Sequence, residues 1–269
     1  MCDLWQYTSL GNTPVGAIPF QLSQVLSSKD SNESGVQRKW LKLYNASNFF
    51  DERSVPQQDL GAIAEYCSSF ERVIVENHPR FCDERMQWFA EAIGGQLEVA
   101  MGLETIHPGA MAAMNKGMTL DDFEKAVKQC HRLGIDVRVF VLLHPPGLPA
   151  EETIEWTWQT VAFAVERKVR HVSIIPVRAG NGWVDKRIAA GEYQLPTVAM
   201  VRKLFDCLSL LDWHGPGKSV IEFDLWDWEN LKGSCDRCGP ILKEHIAQCN
   251  RTQVLLPFNE NKIDCGCPI

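Results

Sequence analysis

The stretch from Gln96 to Gly147 most constrains what this chain can fold into. It contains two short apolar runs, QLEVAMGLET and IDVRVFVLLHPPG, joined through a segment whose apolar residues recur at helical spacing. That segment opens at Thr119, a typical N-cap residue, and closes at Gly134. Both runs are too apolar to leave one strand face in water, which is typical of a parallel sheet covered by helices. The stretch therefore predicts one complete β-loop-α-β unit.

Along the rest of the chain, similar apolar runs alternate with segments whose apolar residues recur at helical spacing. The further strands that we predict lie at 41–44, 72–79 and 171–178, and the segment SVIEFDLWDWEN (219–230) closes the sheet. The further helices lie at 58–70, 83–94, 150–168 and 197–211. Five or six strands alternating with five helices predict an α/β fold, a partial (β/α) parallel barrel. We assign residues 1–215 to this barrel, and 216–269 to a closing strand with a small cysteine-rich tail.

The composition is typical of a soluble globular protein. The chain of 269 residues is 45% hydrophobic and 23% charged, and no apolar run approaches the length of a membrane span. The formal charge of -7 gives no support to a broad electrostatic surface for nucleic acid. The sequence shows no secretory signal peptide, in which a charged segment is followed by an apolar one. We therefore predict a cytoplasmic protein without a membrane partner.

Polar residues stand at the ends of successive predicted strands. In parallel sheets ligands are met at the carboxyl ends of the strands, so these positions are the first candidates for a binding site. In the central unit they include Glu104 and Lys116. Along the whole chain the series is Asn45 and Ser47, Glu76, Glu104, His144 and Arg178. Such a series predicts a polar ligand held across the carboxyl edge of the sheet.

Several stretches resemble a known family. Cys2-Asp3-Leu4-Trp5 resembles the end of a three-cysteine CxxxCxxC loop, and KLYNASNFFDER, VIVENHP, VAMGLET and NKGMTLDDFEKA resemble stretches of the radical S-adenosylmethionine (radical SAM) superfamily. The nearest branch is that of the elongator catalytic subunit, the methylthiotransferases and the radical SAM partner protein of archaeosine tRNA modification. The resemblance covers roughly residues 1 to 180 and is strongest in GLET, NKG and DF.

The resemblance implies a radical enzyme that uses a [4Fe–4S] cluster, S-adenosylmethionine and an electron donor. In this family three thiolates hold the cluster, and S-adenosylmethionine fills the open coordination position of the fourth iron. Its reductive cleavage gives a 5′-deoxyadenosyl radical, which abstracts hydrogen from the substrate. The substrate that the branch implies is tRNA or another nucleic-acid base.

The same resemblance assigns roles to residues of this chain. The assigned residues are Cys2 as a cluster ligand, Asn45 and Ser47 near the amino group of S-adenosylmethionine, Glu76 and Glu104 near its ribose or methionine part, Val141 and Leu143 near its adenine, and Arg178 as a further strand-end candidate. Only one of the three cluster cysteines is present. We therefore interpret the chain as truncated at its N-terminus within the CxxxCxxC loop, and expect no radical chemistry from it as written.

A second group of cysteines crowds the end of the chain. Cys235 and Cys238 form a CxxC pair, and Cys265 and Cys267 form a CxC pair, with 26 residues between the two pairs. In a reducing compartment clustered cysteines indicate metal rather than disulfides. Two such pairs supply four thiolates, which suits zinc or an auxiliary iron–sulfur cluster. Cys249 is a substitute ligand or a bystander.

Two other interpretations fit the same residues. One is a non-catalytic α/β scaffold with a structural zinc site in the tail. The other is a barrel hydrolase or lyase in which Glu76 and Glu104 act as acid and base, although nothing in the sequence identifies a nucleophile or a substrate.

Some conspicuous residues have ordinary explanations. We expect His78, His107 and His144 to be turn residues hydrogen-bonded to backbone and assign them no metal role. We expect Trp226 and Trp228 to pack in the core rather than stack on bases.

Overall fold

The computed structural model describes residues 11–26, 39–44, 47–180, 182–210, 218–233 and 235–258. Within these ranges the chain forms six β-strands and nine α-helices. The strands are β1 (Trp40–Leu43), β2 (Arg72–Glu76), β3 (Gln96–Glu104), β4 (Asp136–Leu143), β5 (His171–Pro176) and β6 (Val220–Phe223). The helices are α1 (Ala17–Leu26), α2 (Leu60–Cys67), α3 (Glu84–Ala92), α4 (Pro108–Ala113), α5 (Leu120–Arg132), α6 (Thr153–Glu166), α7 (Trp183–Ala189), α8 (Val198–Ser209) and α9 (Cys238–Thr252).

The strands form one sheet whose order follows the chain, from β1 to β6. The registers of β1 with β2, β2 with β3, β4 with β5 and β5 with β6 are all parallel. A sequential order is typical of a (β/α) barrel, whereas a doubly wound sheet reverses its order at a switch point. The predicted α/β fold with a partial parallel barrel is therefore confirmed.

The chain divides into two compact units. We call the described part of residues 4–101 and 118–137 the N-terminal unit, and the described part of residues 102–117 and 138–269 the C-terminal unit. The first contains α1 to α3, α5, β1, β2 and most of β3. The second contains α4, α6 to α9, β5, β6 and most of β4. The predicted domain boundary at residue 215 stays a prediction.

Alternation along β3 shows how these strands position a site. Leu97, Val99, Met101 and Leu103 are buried and share one face of the strand. The other face carries Glu98, Ala100, Gly102 and Glu104. Such a strand contributes one row to the apolar core and a second row that includes two carboxylates. The polar row ends at Glu104, where β3 itself ends.

Helix α5 follows the sequence pattern closely. The hydroxyl of Thr119 accepts a hydrogen bond from the backbone N–H of Asp122, and the Asp122 carboxylate accepts one from the backbone N–H of Thr119. This reciprocal capping box satisfies two donors that a helix start leaves open. After the helix, Gly134 adopts φ 68°, a left-handed conformation that glycine takes without strain. The predicted start and stop of this helix are confirmed.

Part of the predicted cysteine-rich tail is helical. Residues Cys238–Thr252 form the 15-residue helix α9, in which Leu242, Ile246 and Cys249 are buried. Their spacing of four and three residues is that of one helix face. Cys249 is therefore a buried thiol on the inner face of α9, and its interpretation as a substitute ligand or a bystander stays a prediction. Helices α1, α4 and α7 also went unpredicted.

Two side-chain amides at the end of α9 occupy the outer edge of β6. The Asn250 amide accepts from the backbone N–H of Phe223 at 3.0 Å and donates to the Phe223 carbonyl at 2.8 Å. The Gln253 amide makes the same pair of contacts with Ile221, at 3.0 and 3.1 Å. These four bonds replace those that a further strand would make, so they protect an edge that would otherwise template unwanted strand pairing.

None of the helices in the described part of the chain has the length and apolar character that a membrane crossing needs.

Replacing the two amides should destabilise the fold. In the double variant Asn250→Leu/Gln253→Leu the backbone groups of Ile221 and Phe223 lose their partners, at a cost of about 1–3 kcal/mol for each group that stays buried. We expect a lower urea midpoint in equilibrium unfolding. Gln248→Leu, on the exposed side of the same helix, is the matched control and should leave the midpoint nearly unchanged. An equal midpoint for the double variant would contradict the edge-protecting role.

Candidate ligand site at the strand ends

The end of β3 carries a shielded ion pair. Glu104 is the last residue of the strand, and its Oε1 lies 2.8 Å from Nζ of Lys116. Only 15% of the glutamate side chain and 18% of the lysine side chain are exposed. Because solvent screening is weak there, the pair holds its geometry better than an ion pair on open surface. The lysine thus fixes the direction of a carboxylate at the carboxyl end of the strand.

Glu104 is also backbone-strained. Its φ is 64°, in the left-handed region that non-glycine residues seldom adopt. Such strain persists only where surrounding contacts enforce it, and it concentrates at ligand and active sites. The strain and the ion pair therefore single out the same residue.

Gly102 provides the space for this pair. A Cβ at this position would stand 2.5 Å from Nζ of Lys116 and would overlap Oε1 of Glu104. Any larger residue would push the two charged groups away from the strand. The pattern Gly102-x-Glu104 is therefore a structural unit with Lys116, a partnership that the sequence did not predict.

The loop that delivers Lys116 is organised by His107. Oγ1 of Thr105 accepts a hydrogen bond from the backbone N–H of His107 at 3.1 Å, and Nδ1 of His107 accepts one from the backbone N–H of Ala110 at 3.0 Å. His107 is therefore the N-cap of α4. The predicted turn role of this histidine is confirmed.

The loop after β4 packs closely on α4. A Cβ at Gly147, whose φ is 91°, would lie 2.6 Å from Cβ of Ala113 and 3.2 Å from Cα of Ala110. Only glycine allows this approach. The HPPG segment thus buttresses the helix that precedes Lys116.

His144 is a buried, neutral anchor at the end of β4. The residue is 4% exposed and strained at φ 59°. Its Nδ1 lies 2.7 Å from Oγ1 of Thr153, its ring stacks on Tyr193 at 5.1 Å, and the Tyr193 hydroxyl donates to the His144 carbonyl at 2.6 Å. Burial lowers the pKa of His144, and a hydrogen bond with the backbone of Gln194 opposes this shift without reversing it. The hydrogen bond with the backbone of Gln194 agrees with the predicted backbone-bonded role of this histidine.

The lowered pKa makes stability depend on pH. Below about pH 6.5, the ordinary value for histidine, the unfolded chain binds a proton at His144 that the folded chain does not. The free energy of unfolding should therefore fall as the pH drops below 6.5, with a slope of up to about 1.4 kcal/mol per pH unit. His144→Gln should flatten this slope in urea unfolding, while His131→Gln at an exposed position should not. An unchanged slope in His144→Gln would refute the assignment.

Val141 and Leu143, assigned to the adenine, lie in the core. Both side chains are fully buried. Leu142, on the opposite face of β4, joins a cluster with Met114, Val177 and Tyr193. Only the backbone of Val141 and Leu143 therefore remains for a ligand to contact, and their assignment to the adenine stays a prediction.

Arg178 is engaged by the residues that follow β6. Its Nη2 lies 2.9 Å from Oδ2 of Asp224, and its Nη2 and Nε donate to the carbonyl of Trp226 at 2.7 and 3.1 Å. The guanidinium therefore joins the segments after β5 and β6. Trp228 is buried as predicted, but Trp226 is exposed, so the prediction that it packs in the core was wrong.

In the N-terminal unit, two asparagines join the ends of β1 and β2. Oδ1 of Asn48 accepts from the backbone N–H of His78 at 2.7 Å, and Oδ1 of the buried Asn77 accepts from that of Phe50 at 3.2 Å. Each asparagine thus binds the backbone of the other segment. This role was not predicted from the sequence, although Asn48 follows Ser47 and Asn77 follows Glu76 in the chain.

The assigned polar residues of this unit lie beside that junction. The hydroxyl of Ser47 is 2.5 Å from that of Ser54. Glu76 is the last residue of β2 and half-buried, and its carbonyl accepts from the backbone N–H of Phe49 at 2.9 Å. Asn45, assigned with Ser47, lies outside the described residues.

The cysteines are only partly described. Cys2, Cys265 and Cys267 lie outside the described residues. The sulfur atoms of Cys235 and Cys238 are 3.5 Å apart at the start of α9. Within the described part of the chain, no group of three or more histidine, cysteine or acidic residues is placed to hold a metal ion.

Comparisons with known proteins identify relatives at low identity. No protein-family model matches the chain. An uncharacterised protein of Methanocaldococcus jannaschii, MJ0550, is 21% identical over 237 residues, 84% of this chain and 63% of that protein. Archaeosine synthase subunit beta of Methanosarcina acetivorans is 28% identical over 121 residues, 43% of this chain and 35% of that protein. The chain thus spans less than two thirds of the length of these relatives.

A solved structure confirms the fold. The Methanocaldococcus infernus Elp3 with an N-terminus deletion matches 92% of this chain and 63% of its own, with a TM-score of 0.61 and 13% identity. The resemblance to the radical SAM branch that includes Elp3 and archaeosine synthase is thereby confirmed.

Proposed function

We propose that this chain is the partial barrel of a radical SAM enzyme that acts on a nucleic-acid base, with tRNA as the substrate that the archaeosine synthase relatives favour. The observation that carries the proposal is the Gly102, Glu104 and Lys116 arrangement at the end of β3. Its carboxylate is fixed in direction and strained, and it lies where parallel sheets meet their ligands. The cytoplasm remains the predicted location.

S-adenosylmethionine fits the chemistry of these residues. A fixed carboxylate accepts hydrogen bonds from the two hydroxyls of a ribose, and charge-assisted bonds of this kind are strong. Glu104 is therefore the residue that we assign to the ribose. Lys116 acts as a positioning residue, because it contacts the carboxylate rather than the ligand. We assign Ser47 and Glu76 to the amino and methionine part.

The cofactor chemistry comes from the cluster. A [4Fe–4S] cluster, if bound with the help of residues encoded upstream, would pass an electron from an external donor to S-adenosylmethionine. Cys2 is the residue of this chain that we assign to the cluster. Among the described residues, Glu104 and Lys116 orient the ligand. The apolar cluster around Leu142 excludes water from it.

The test is the affinity for S-adenosylmethionine in the cluster-loaded polypeptide, including any residues encoded upstream of Met1. Glu104→Gln removes the charge that the ribose hydroxyls face and should weaken binding about 10- to 100-fold. Lys116→Met should weaken it less, by misdirecting Glu104, and the double variant should match Glu104→Gln alone. Equilibrium dialysis with labelled S-adenosylmethionine measures all three.

Lys128→Met, at an exposed position on α5, is the control and should bind like the parent protein. Parent-like binding by Glu104→Gln would reject the proposed site. Fully additive losses in the double variant would show that Lys116 binds the ligand directly.

We also propose that Cys235 and Cys238 form half of a metal site. Two thiolates on one zinc ion, with bonds of about 2.3 Å at tetrahedral angles, have their sulfur atoms about 3.8 Å apart. The distance of 3.5 Å between these two sulfur atoms supports such a pair. We assign Cys265 and Cys267 as the other two ligands, and zinc or an auxiliary iron–sulfur cluster as the occupant.

Metal content tests this site. The double variant Cys235→Ser/Cys238→Ser should lose about one zinc per chain, or the iron of an auxiliary cluster, in elemental analysis of anaerobically purified protein. Cys67→Ser, which alters a buried thiol on α2, is the control and should keep its metal. Equal metal content in both variants would contradict the site.

A further inference from the structure

The segment after β6 presents a tryptophan to solvent. Trp226 is 72% exposed, more than any other tryptophan in the described part of the chain. Only two residues on, Trp228 is buried. The Trp226 ring therefore does not contribute to the core, and its role depends on what it contacts at the surface.

The exposed indole is held by Arg178 on one side. Cζ of Arg178 lies 4.8 Å from the Trp226 ring centroid, within the range of a cation–π contact. The same guanidinium donates twice to the Trp226 carbonyl and pairs with Asp224. Ring and backbone of Trp226 are thus fixed by one side chain.

Further contacts fix the backbone around the ring. Oδ1 of Asp224 accepts from the backbone N–H of Trp226 at 2.9 Å. Asp227 adopts a left-handed φ of 62°, and the following Trp228 is anchored in the core. The indole therefore stands on a rigid support, so little conformational entropy is lost when a planar group stacks on its outer face.

We propose that Trp226, supported by Arg178, is a stacking platform for an unpaired base of the RNA substrate. This inference rests on the proposed function and names how that substrate is gripped. Aromatic side chains that stack single bases are the usual means of binding unpaired nucleotides. Trp226 follows β6 and Arg178 follows β5, so both lie at strand carboxyl ends, where a barrel of this type meets its substrate.

A single stacked base agrees with the charge of the chain better than other occupants. The net charge of -7 and the acidic partner Asp224 disfavour binding through many phosphates. A protein partner would bury an apolar surface, whereas here a cation lies beneath a single planar ring. The affinity for RNA should therefore depend on the presence of the base and only weakly on the salt concentration.

Equilibrium binding of a short RNA stem–loop tests the platform. The probe is a fluorescently labelled stem–loop with an unpaired guanine, and its matched control is the same RNA with an abasic site at that position. The measurement is made on the full chain and needs no cluster. We expect Trp226→Ala to bind the intact loop about 5- to 100-fold more weakly than the parent, the scale of one aromatic–base stack.

We also expect three results from binding of the variants to the stem–loop. Trp226→Phe keeps most of the affinity, Trp88→Ala at another exposed tryptophan keeps all of it, and Trp226→Ala loses the preference for the intact loop over the abasic one. Equal binding of both loops by the parent, no binding of either, or parent-like binding by Trp226→Ala would overturn the platform. Cleavage of S-adenosylmethionine in the cluster-loaded protein alongside any of these would leave the proposed function standing.

Discussion

The ion pair between Glu104 and Lys116 is the interaction on which the account of this protein depends. It exists because Gly102 leaves room beside β3 and because the loop through α4 returns a lysine to the strand end. Removing either charge would leave the other shielded from water and uncompensated, which is costly. The arrangement is therefore better understood as a device for holding a carboxylate in one direction than as a source of stability. This is why it carries the functional proposal.

Other side chains in the described part of the chain tie strands and loops together. His144 buries a neutral imidazole and ties the end of β4 to Tyr193, while Gly147 seats the following loop on α4. At the other end of the chain, Asn250 and Gln253 close the edge of β6. In the N-terminal unit Asn48 and Asn77 join the segments after β1 and β2. The side chains of Tyr193, Asn250, Gln253, Asn48 and Asn77 thus satisfy backbone groups that a strand or loop leaves open.

The fold was predictable from the sequence because its signals are local. Apolar strands, helical spacing and caps such as Thr119 repeat along the chain, and these patterns are enough to indicate a parallel barrel. The chemistry of the site was less predictable. Glu104 was found from its position after a strand, but the partnership of Gly102 with Lys116 depends on a long loop closing in space. Similarly, Trp226 and Trp228 look equivalent in the sequence, and only tertiary packing separates the exposed ring from the buried one.

The central claim is that these strand ends bind S-adenosylmethionine for reductive cleavage. The most direct measurement is the yield of 5′-deoxyadenosine after anaerobic reconstitution with iron and sulfide, for the polypeptide with any residues encoded upstream of Met1 included. The account predicts a four-iron cluster and 5′-deoxyadenosine that depends on a reductant. A protein that assembles the cluster and binds S-adenosylmethionine but never cleaves it, under any reductant, would contradict the account.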